Sequence, residues 1–245
     1  RSWAERSAAD LRPYVGCMDQ LAGVRCSELS DGAGRGMRIA DVDNGSGLDY
    51  TVLLDRGLDI GRARFRGVPL AFLTPVGYRS GAYYEPQGLG WLRNFGGGLL
   101  TGCGLRNVGN PQEAGYDEPG GPLGLHGRLS NTPGENIAVD QRWTEGGYEM
   151  SVSGTVREAS FFGADLVLRR TVRTRMGVNS IHIEDTVNNR GPRPSPLMLL
   201  YHINLGFPLL DEHASLAGNV RETRPRTEDA SAGLADWSRF QPPEN

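Results

Sequence analysis

Four histidines carry the only side chains of this chain whose ordinary pKa, about 6.5, lets them give and take a proton near neutrality, and two of them stand where such chemistry is useful. His126 lies in Gly124-Leu125-His126-Gly127-Arg128, where the glycines allow close approach of a ligand to the backbone. His202 interrupts an apolar strand, on the face it shares with Met198, Leu200 and Asn204. Either histidine alone fits a satisfied core residue. The two together point to a proton-transfer site. His182, beside Glu184 on a polar strand face, and His213, in Leu210-Asp211-Glu212-His213-Ala214, read as solvated.

Other reactive types are placed less pointedly. Arg56, in Leu53-Leu54-Asp55-Arg56-Gly57-Leu58-Asp59, has a carboxylate on each side and fits a structural ion pair as well as a substrate contact. Arg93 and Asn94 precede the run Phe95-Gly96-Gly97-Gly98-Leu99-Leu100-Thr101-Gly102-Cys103-Gly104. That run lacks both GK[ST] and a GxGxxG before a helix, so a glycine-lined pocket floor or close strand packing suits it better than a phosphate cradle. Cys103 could be a nucleophile with a histidine as base, or a small buried thiol. A metal site would need a third ligand beside His126 and His202, and no HxH or HExxH supplies one, so none is expected.

The elements that must hold these residues are strands. Apolar residues alternate and are closed by glycine-containing turns, while helical periodicity is nearly absent. Residues 37–42 and 48–54 flank Asp43-Asn44-Gly45-Ser46-Gly47 as a hairpin. Residues 137–143 and 148–156 form a second, and 166–175 and 178–188 a third across Met176-Gly177. In the last of these strands Ile181, Ile183 and Val187 share one face, and His182, Glu184 and Thr186 the other. The corner Gly191-Pro192-Arg193-Pro194-Ser195-Pro196 feeds a further strand, 197–205, so residues 137–205 read as one meander whose apolar face must meet another sheet. An all-β sandwich follows. Residues 74–135 are glycine-, proline- and aromatic-rich without periodicity, as functional loops are, and residues 220–235 read as a mobile loop.

Composition narrows the function. The chain has 245 residues, 38% hydrophobic and 22% charged, with a formal net charge of −3, enough apolar material for one large domain over 1–245. All 26 basic residues are arginine, which removes lysine Schiff bases, pyridoxal phosphate anchoring and the P-loop lysine. Scattered arginines without a basic stripe exclude a nucleic-acid surface, and no stretch approaches the ~18 apolar residues of a membrane helix. Three cysteines without CxxC spacing, and no signal-peptide core in residues 1–20, predict a reduced, cytoplasmic setting. The chain opens at Arg1 and stops at Pro242-Pro243-Glu244-Asn245, so a part missing at either end is expected.

Four ordered segments resemble the landmarks of an aldose 1-epimerase-like family that sits with the galactose mutarotases. They are Leu54-Asp55-Arg56-Gly57-Leu58-Asp59-Ile60-Gly61, Gly97-Gly98-Leu99-Leu100-Thr101-Gly102-Cys103-Gly104-Leu105, Gly124-Leu125-His126-Gly127-Arg128-Leu129-Ser130-Asn131 and Tyr201-His202-Ile203-Asn204-Leu205-Gly206. The likeness runs from about Val15 to Leu216. It implies a β-supersandwich of two large twisted antiparallel sheets with a sugar cleft on the concave side. It also implies that His126 contacts the sugar and that His202 acts as acid toward the ring oxygen. A glutamate that takes the proton of the anomeric hydroxyl would lie beyond Asn245. This chain differs from the galactose enzymes in having His126-Gly127-Arg128 where they have histidine-glycine-glycine, and in the spacing of Asn204 from His202.

The function implied is an isomerase that opens and recloses the hemiacetal ring of an aldose. Arg56, Arg93, Asn94, Arg128 and Asn204 are the candidates to orient hydroxyls, and Trp91 or Tyr84 to stack on the pyranose. The arginine fork also suits a carboxylate, as on an acidic sugar. The partner is a monosaccharide or sugar derivative, with no cofactor, no metal, no nucleic acid and no membrane; the oligomeric state stays open. Two rivals use the same cleft: a non-catalytic carbohydrate-binding protein, since fold does not fix function, and an isomerase or lyase acting on another sugar form.

Overall fold

The computed structural model describes residues 3–113 and 122–243; Arg1, Ser2, Glu244 and Asn245, and the 114–121 part of the irregular middle segment, lie outside them. Seven strands form the first sheet: β1 (Gly23–Glu28), β2 (Arg38–Asp43), β3 (Leu48–Leu53), β4 (Asp59–Phe65), β5 (Val68–Pro69), β6 (Leu100–Leu105) and, from far along the chain, β11 (Met198–Ile203). Their order is β1-β2-β3-β4-β6-β11, with β5 beside β4. The second sheet, in the order β10-β9-β8-β7, comprises β7 (Glu135–Thr144), β8 (Gly147–Ala159), β9 (Asp165–Arg175) and β10 (Val178–Asn189). All these ladders are antiparallel. The predicted hairpins appear within a few residues of their expected bounds, because glycine-rich turns and period-two patterning act locally.

The meander predicted over 137–205 is corrected at its end. β11 does not pair with β10; it joins the first sheet along β6, with Leu200 opposite Cys103 and His202 opposite Thr101. The physical reason is the corner at 191–196: its three prolines have no N–H to offer a ladder, so pairing stops there and the chain crosses to the other sheet. Residues 220–235, predicted as a loop, include the short helix Glu228–Ala232, capped by the Thr227 hydroxyl.

The sheets pack face to face over one core. Ala40, Val42, Tyr50, Val52 and Ile60 of the first meet Met150, Val152, Val156, Leu168 and Val172 of the second, and burial of each large side chain contributes about 1.5–3 kcal/mol. On β10, Ile181, Ile183 and Val187 pack on this core while His182, Glu184 and Thr186 stay exposed, as the alternation requires. A charged cluster also lies between the sheets. Arg170 of β9 is fully buried and grips Asp185 of β10 through Nε and Nη2, at 2.9 and 2.8 Å. Its Nη1 reaches Asp59 Oδ1 and the Gly57 carbonyl, each at 3.1 Å. Asp59 further accepts the Gly102 N–H, and the Tyr201 hydroxyl donates to Asp185. The cluster ties β4, β6 and β11 to the second sheet. Since Tyr201 faces the sandwich, His202 faces away from it.

Candidate active site

The loop that carries His126 is held on several sides. Its backbone lies along β6: Gly104 N–H donates to His126 O at 3.0 Å and Arg128 N–H to Gly104 O at 2.9 Å. The Tyr84 hydroxyl, pushed above its ordinary pKa by burial, donates to Gly127 O at 2.9 Å. The fit depends on glycine at Gly127, where φ is +71° and a Cβ would lie 2.3 Å from Gly104 O. His126 itself has φ +57°, a conformation rare for residues with a Cβ and one that surrounding structure must impose.

That backbone aims the two imidazoles at each other. Their ring centroids are 5.7 Å apart and nearly perpendicular, at 84°. Gly109 N–H donates to His126 Nδ1 at 3.2 Å and the His126 N–H donates to Gly109 O at 3.0 Å. An imidazole whose Nδ1 accepts carries its proton on Nε2, so neutral His126 is a hydrogen-bond donor. Burial, then the neighbouring His202 and Arg226, lower its pKa below the ordinary value and keep it neutral. His202 Nδ1 is shielded from water and has no hydrogen-bond partner. Among the described residues, neither imidazole is ion-paired with a carboxylate.

An aromatic floor lies beneath. Trp91, on the helical turn Gly90–Asn94, stacks on Phe95 at 4.6 Å and lies 4.8 Å from the His126 ring, with Phe95 5.8 Å from His202. Its Nε1–H donates to Ser130 Oγ at 3.1 Å. Only 3% exposed, Trp91 supports the histidines and leaves no ring face for a pyranose, which corrects its predicted stacking role; Tyr84 and Phe95 are half-buried. Cys103 packs with Trp91 and Leu125. Burial pushes its thiol up to about 12, so it remains a protonated thiol at neutral pH and not a nucleophile.

The other predicted residues divide. Arg56 is buried and holds three loops at once: Nε donates to Ser130 O at 2.6 Å, Nη1 to Arg79 O at 2.7 Å and Nη2 to Asn94 O at 2.9 Å. Burial lowers its pKa to about 10, so it stays charged. Asn94 is buried too, donating to Asn131 Oδ1 and Ser80 O. Asn204 donates to the carbonyls of Gly98 and His202. These three brace the site from behind, because their N–H groups are engaged by protein; Asn94 Oδ1 is buried without a partner. Arg93 points to solvent and pairs with Glu85 at 2.8 Å. Arg128 is exposed at the edge of the His126 loop. Sequence reasoning missed Gly109, which sets the His126 tautomer, and Arg226, which stands beside it. Neither has a local signal, because each is brought in by a distant loop.

Hollows exist elsewhere on the first sheet. One of about 450 Å³, lined by residues that include Asp41, Asp49 and Arg62, contains neither histidine. Among the described residues, no group of three or more His, Cys, Asp or Glu converges as metal ligands, and no helix is long and apolar enough to cross a membrane.

Residues 34–245 match the model of a domain of unknown function, DUF4432. A provisionally assigned aldose 1-epimerase from Klebsiella pneumoniae subsp. pneumoniae MGH 78578 superposes with a TM-score of 0.81 at 28% identity, over 91% of this chain and 59% of that one. Galactose 1-epimerase from Lactobacillus acidophilus NCFM gives a TM-score of 0.42 at 15% identity, over 66% of this chain and 47% of that one. The chain thus spans less than two thirds of the length of either structure. No curated protein matches it. The two-sheet sandwich is the galactose mutarotase-like fold implied by the four motifs.

Proposed function

The chain belongs to the DUF4432 family, and we propose that it is a carbohydrate isomerase of the aldose 1-epimerase kind, opening and reclosing the hemiacetal ring of a sugar bound over His126 and His202. The carrying observation is the meeting of the two imidazoles, 76 residues apart in the chain (202 minus 126), at 5.7 Å on the outward face of β6 and β11. The structural likeness to the Klebsiella protein supports the same class.

Ring opening breaks the C1–O5 bond while the anomeric hydroxyl becomes a carbonyl. It needs a proton delivered to O5 and one removed from the hydroxyl at C1; rotation about C1–C2 before reclosure gives the other anomer. His202, whose Nδ1 has no protein partner, is the group proposed to move the proton at the ring oxygen. His126 offers Nε2–H as a fixed donor to a hydroxyl, and Arg128 orients a second at the rim. In this reading His202 is the acid and His126 the donor, and no carboxylate is paired with either imidazole among the described residues, so no base is assigned. That same observation favours one alternative, a carbohydrate-binding protein without catalysis. The cysteines, exposed at Cys17 and Cys26 and buried at Cys103, are all unpaired, which supports a cytoplasmic setting.

Polarimetry on freshly dissolved single anomers of a broad aldose panel tests the proposal. Acceleration that His202→Ala abolishes is the expected result. Saturable sugar binding with no acceleration of any aldose would establish the binding protein in its place.

A further inference from the structure

The His126 loop is bordered by two cations. On one side Arg226 brings Nη2 to 3.6 Å from where a Cβ on Gly109 would stand, and Gly109 is the residue whose N–H holds His126 Nδ1. On the other side, Arg128 follows the loop directly and acts electrostatically on Tyr84, whose hydroxyl holds Gly127 O. The acid that also acts on Tyr84, Glu158, has Oε2 engaged by the Leu105 N–H at 2.8 Å. Some surface arginines sit against a carboxylate, as Arg38 does with Asp55, Arg93 with Glu85, Arg157 with Asp165 and Arg224 with Glu222, while others, such as Arg64, Arg169 and Arg173, make no ion pair among the described residues; what sets Arg226 apart is its place beside His126. Arg128 and Arg226 have no carboxylate partner among the described residues.

A neutral polyol gains nothing from two uncompensated guanidinium groups. An oxyanion does, because a guanidinium binds carboxylate or phosphate through paired, charge-assisted hydrogen bonds. The Arg226 charge also disfavours an imidazolium at His126 until a negative charge arrives. We infer that the sugar taken by this site carries an oxyanion, a carboxylate or a phosphate, which Arg226 binds beside His126. The inference rests on the proposed sugar site and adds to it the chemical class of the substrate. The His126 Nε2–H and His202 then address the ring hydroxyls and ring oxygen, while the charged substituent fixes which way round the sugar lies.

The test compares anomer exchange of galacturonate and glucose 6-phosphate with that of galactose and glucose, on the full chain, by saturation-transfer NMR. At least one charged sugar is expected to be preferred to its neutral parent in kcat/KM by roughly 10- to 100-fold, the worth of one charged hydrogen bond. Which of the two it is separates carboxylate from phosphate. Arg226→Gln is expected to collapse that preference, and Arg226→Lys to restore part of it. An equal or reversed preference, or one that Arg226→Gln leaves intact, overturns the inference. If no sugar is accelerated, the isomerase proposal fails separately, and the inference is judged on binding, by titrating the imidazole resonances with the same four sugars. Perturbation of His126 by a charged sugar only, lost in Arg226→Gln, upholds it; perturbation by none, or equally by neutral sugars, refutes it.

Discussion

Strand β11 presents two adjacent polar residues to opposite sides of one sheet, and the sides are built on opposite terms. Tyr201 points into the sandwich, where its hydroxyl completes the Arg170–Asp185–Asp59 cluster. There the charges face opposite charges and the guanidinium is fully buried. His202 points outward to a place where Nδ1 has no partner, the neighbouring imidazole is a fixed donor, and two arginines, Arg128 and Arg226, border the His126 loop. A buried charge cluster that satisfies itself fixes how two sheets sit, since removing one member strands the rest. On the outer side the imidazoles and arginines leave hydrogen-bonding capacity that the protein itself does not use. The first region is scaffold and the second is site, and the single-residue step between them joins the two.

The comparison breaks most visibly at the inner cluster. Arg170→Met strands Asp59 and Asp185 in the core and is expected to lower stability by about 3–5 kcal/mol, read as a shift of the urea midpoint. A change below about 1 kcal/mol would mean that the cluster does not hold the sheets. On the outer side the expected loss falls on rate. His202→Ala should lower anomer exchange by roughly 10²-fold or more with a urea midpoint close to that of the parent protein. A comparable loss of stability would make His202 a core residue.

Gly127 tests how tightly the site is hung on the scaffold. Gly127→Ala places a Cβ against Gly104 O at a positive φ and is expected to cost about 1–3 kcal/mol, together with part of the activity, because His126 is displaced from its partner. Unchanged stability and rate would show that the loop adapts.

The smallest expected effect is a shift in pH dependence. His126 has a lowered pKa in the folded chain, so between that value and the ordinary ~6.5 the unfolded chain binds the extra proton. Its contribution to stability is complete above ~6.5 and disappears as pH falls through the lowered value. Activity that needs neutral His126 should therefore decline only below pH ~6.5. Arg226→Gln removes one of the three causes of the shift, so the acid limb of the pH–rate profile should move upward while staying below ~6.5. A limb that does not move would place Arg226 too far from the imidazole to matter.

Much of the outer region was legible in the residues. Glycines frame His126 locally, and a histidine within an apolar strand is visible as a break in pattern. The inner cluster was not legible, because Asp59, Arg170 and Asp185 come from three strands on two sheets and meet only once register and packing are set. The same holds for Arg56: flanking aspartates suggest an ion pair, whereas the fold surrounds it with three carbonyl oxygens. The departure of β11 from the predicted meander was signalled by its prolines, which show where pairing stops but not where the chain goes next. Gly109 and Arg226 give no signal at all, since loop geometry alone brings them to His126.

In the proposed reaction His126 and His202 work as one unit on one bound sugar. Anomer exchange measured by NMR in His126→Ala, His202→Ala and the double variant decides whether they do. Each single variant is expected to lose nearly all of the acceleration, with the double variant hardly slower than either, the non-additivity of groups acting on one transition state. Single variants that keep most of the rate, or losses that simply multiply in the double variant, would mean that the two histidines act independently.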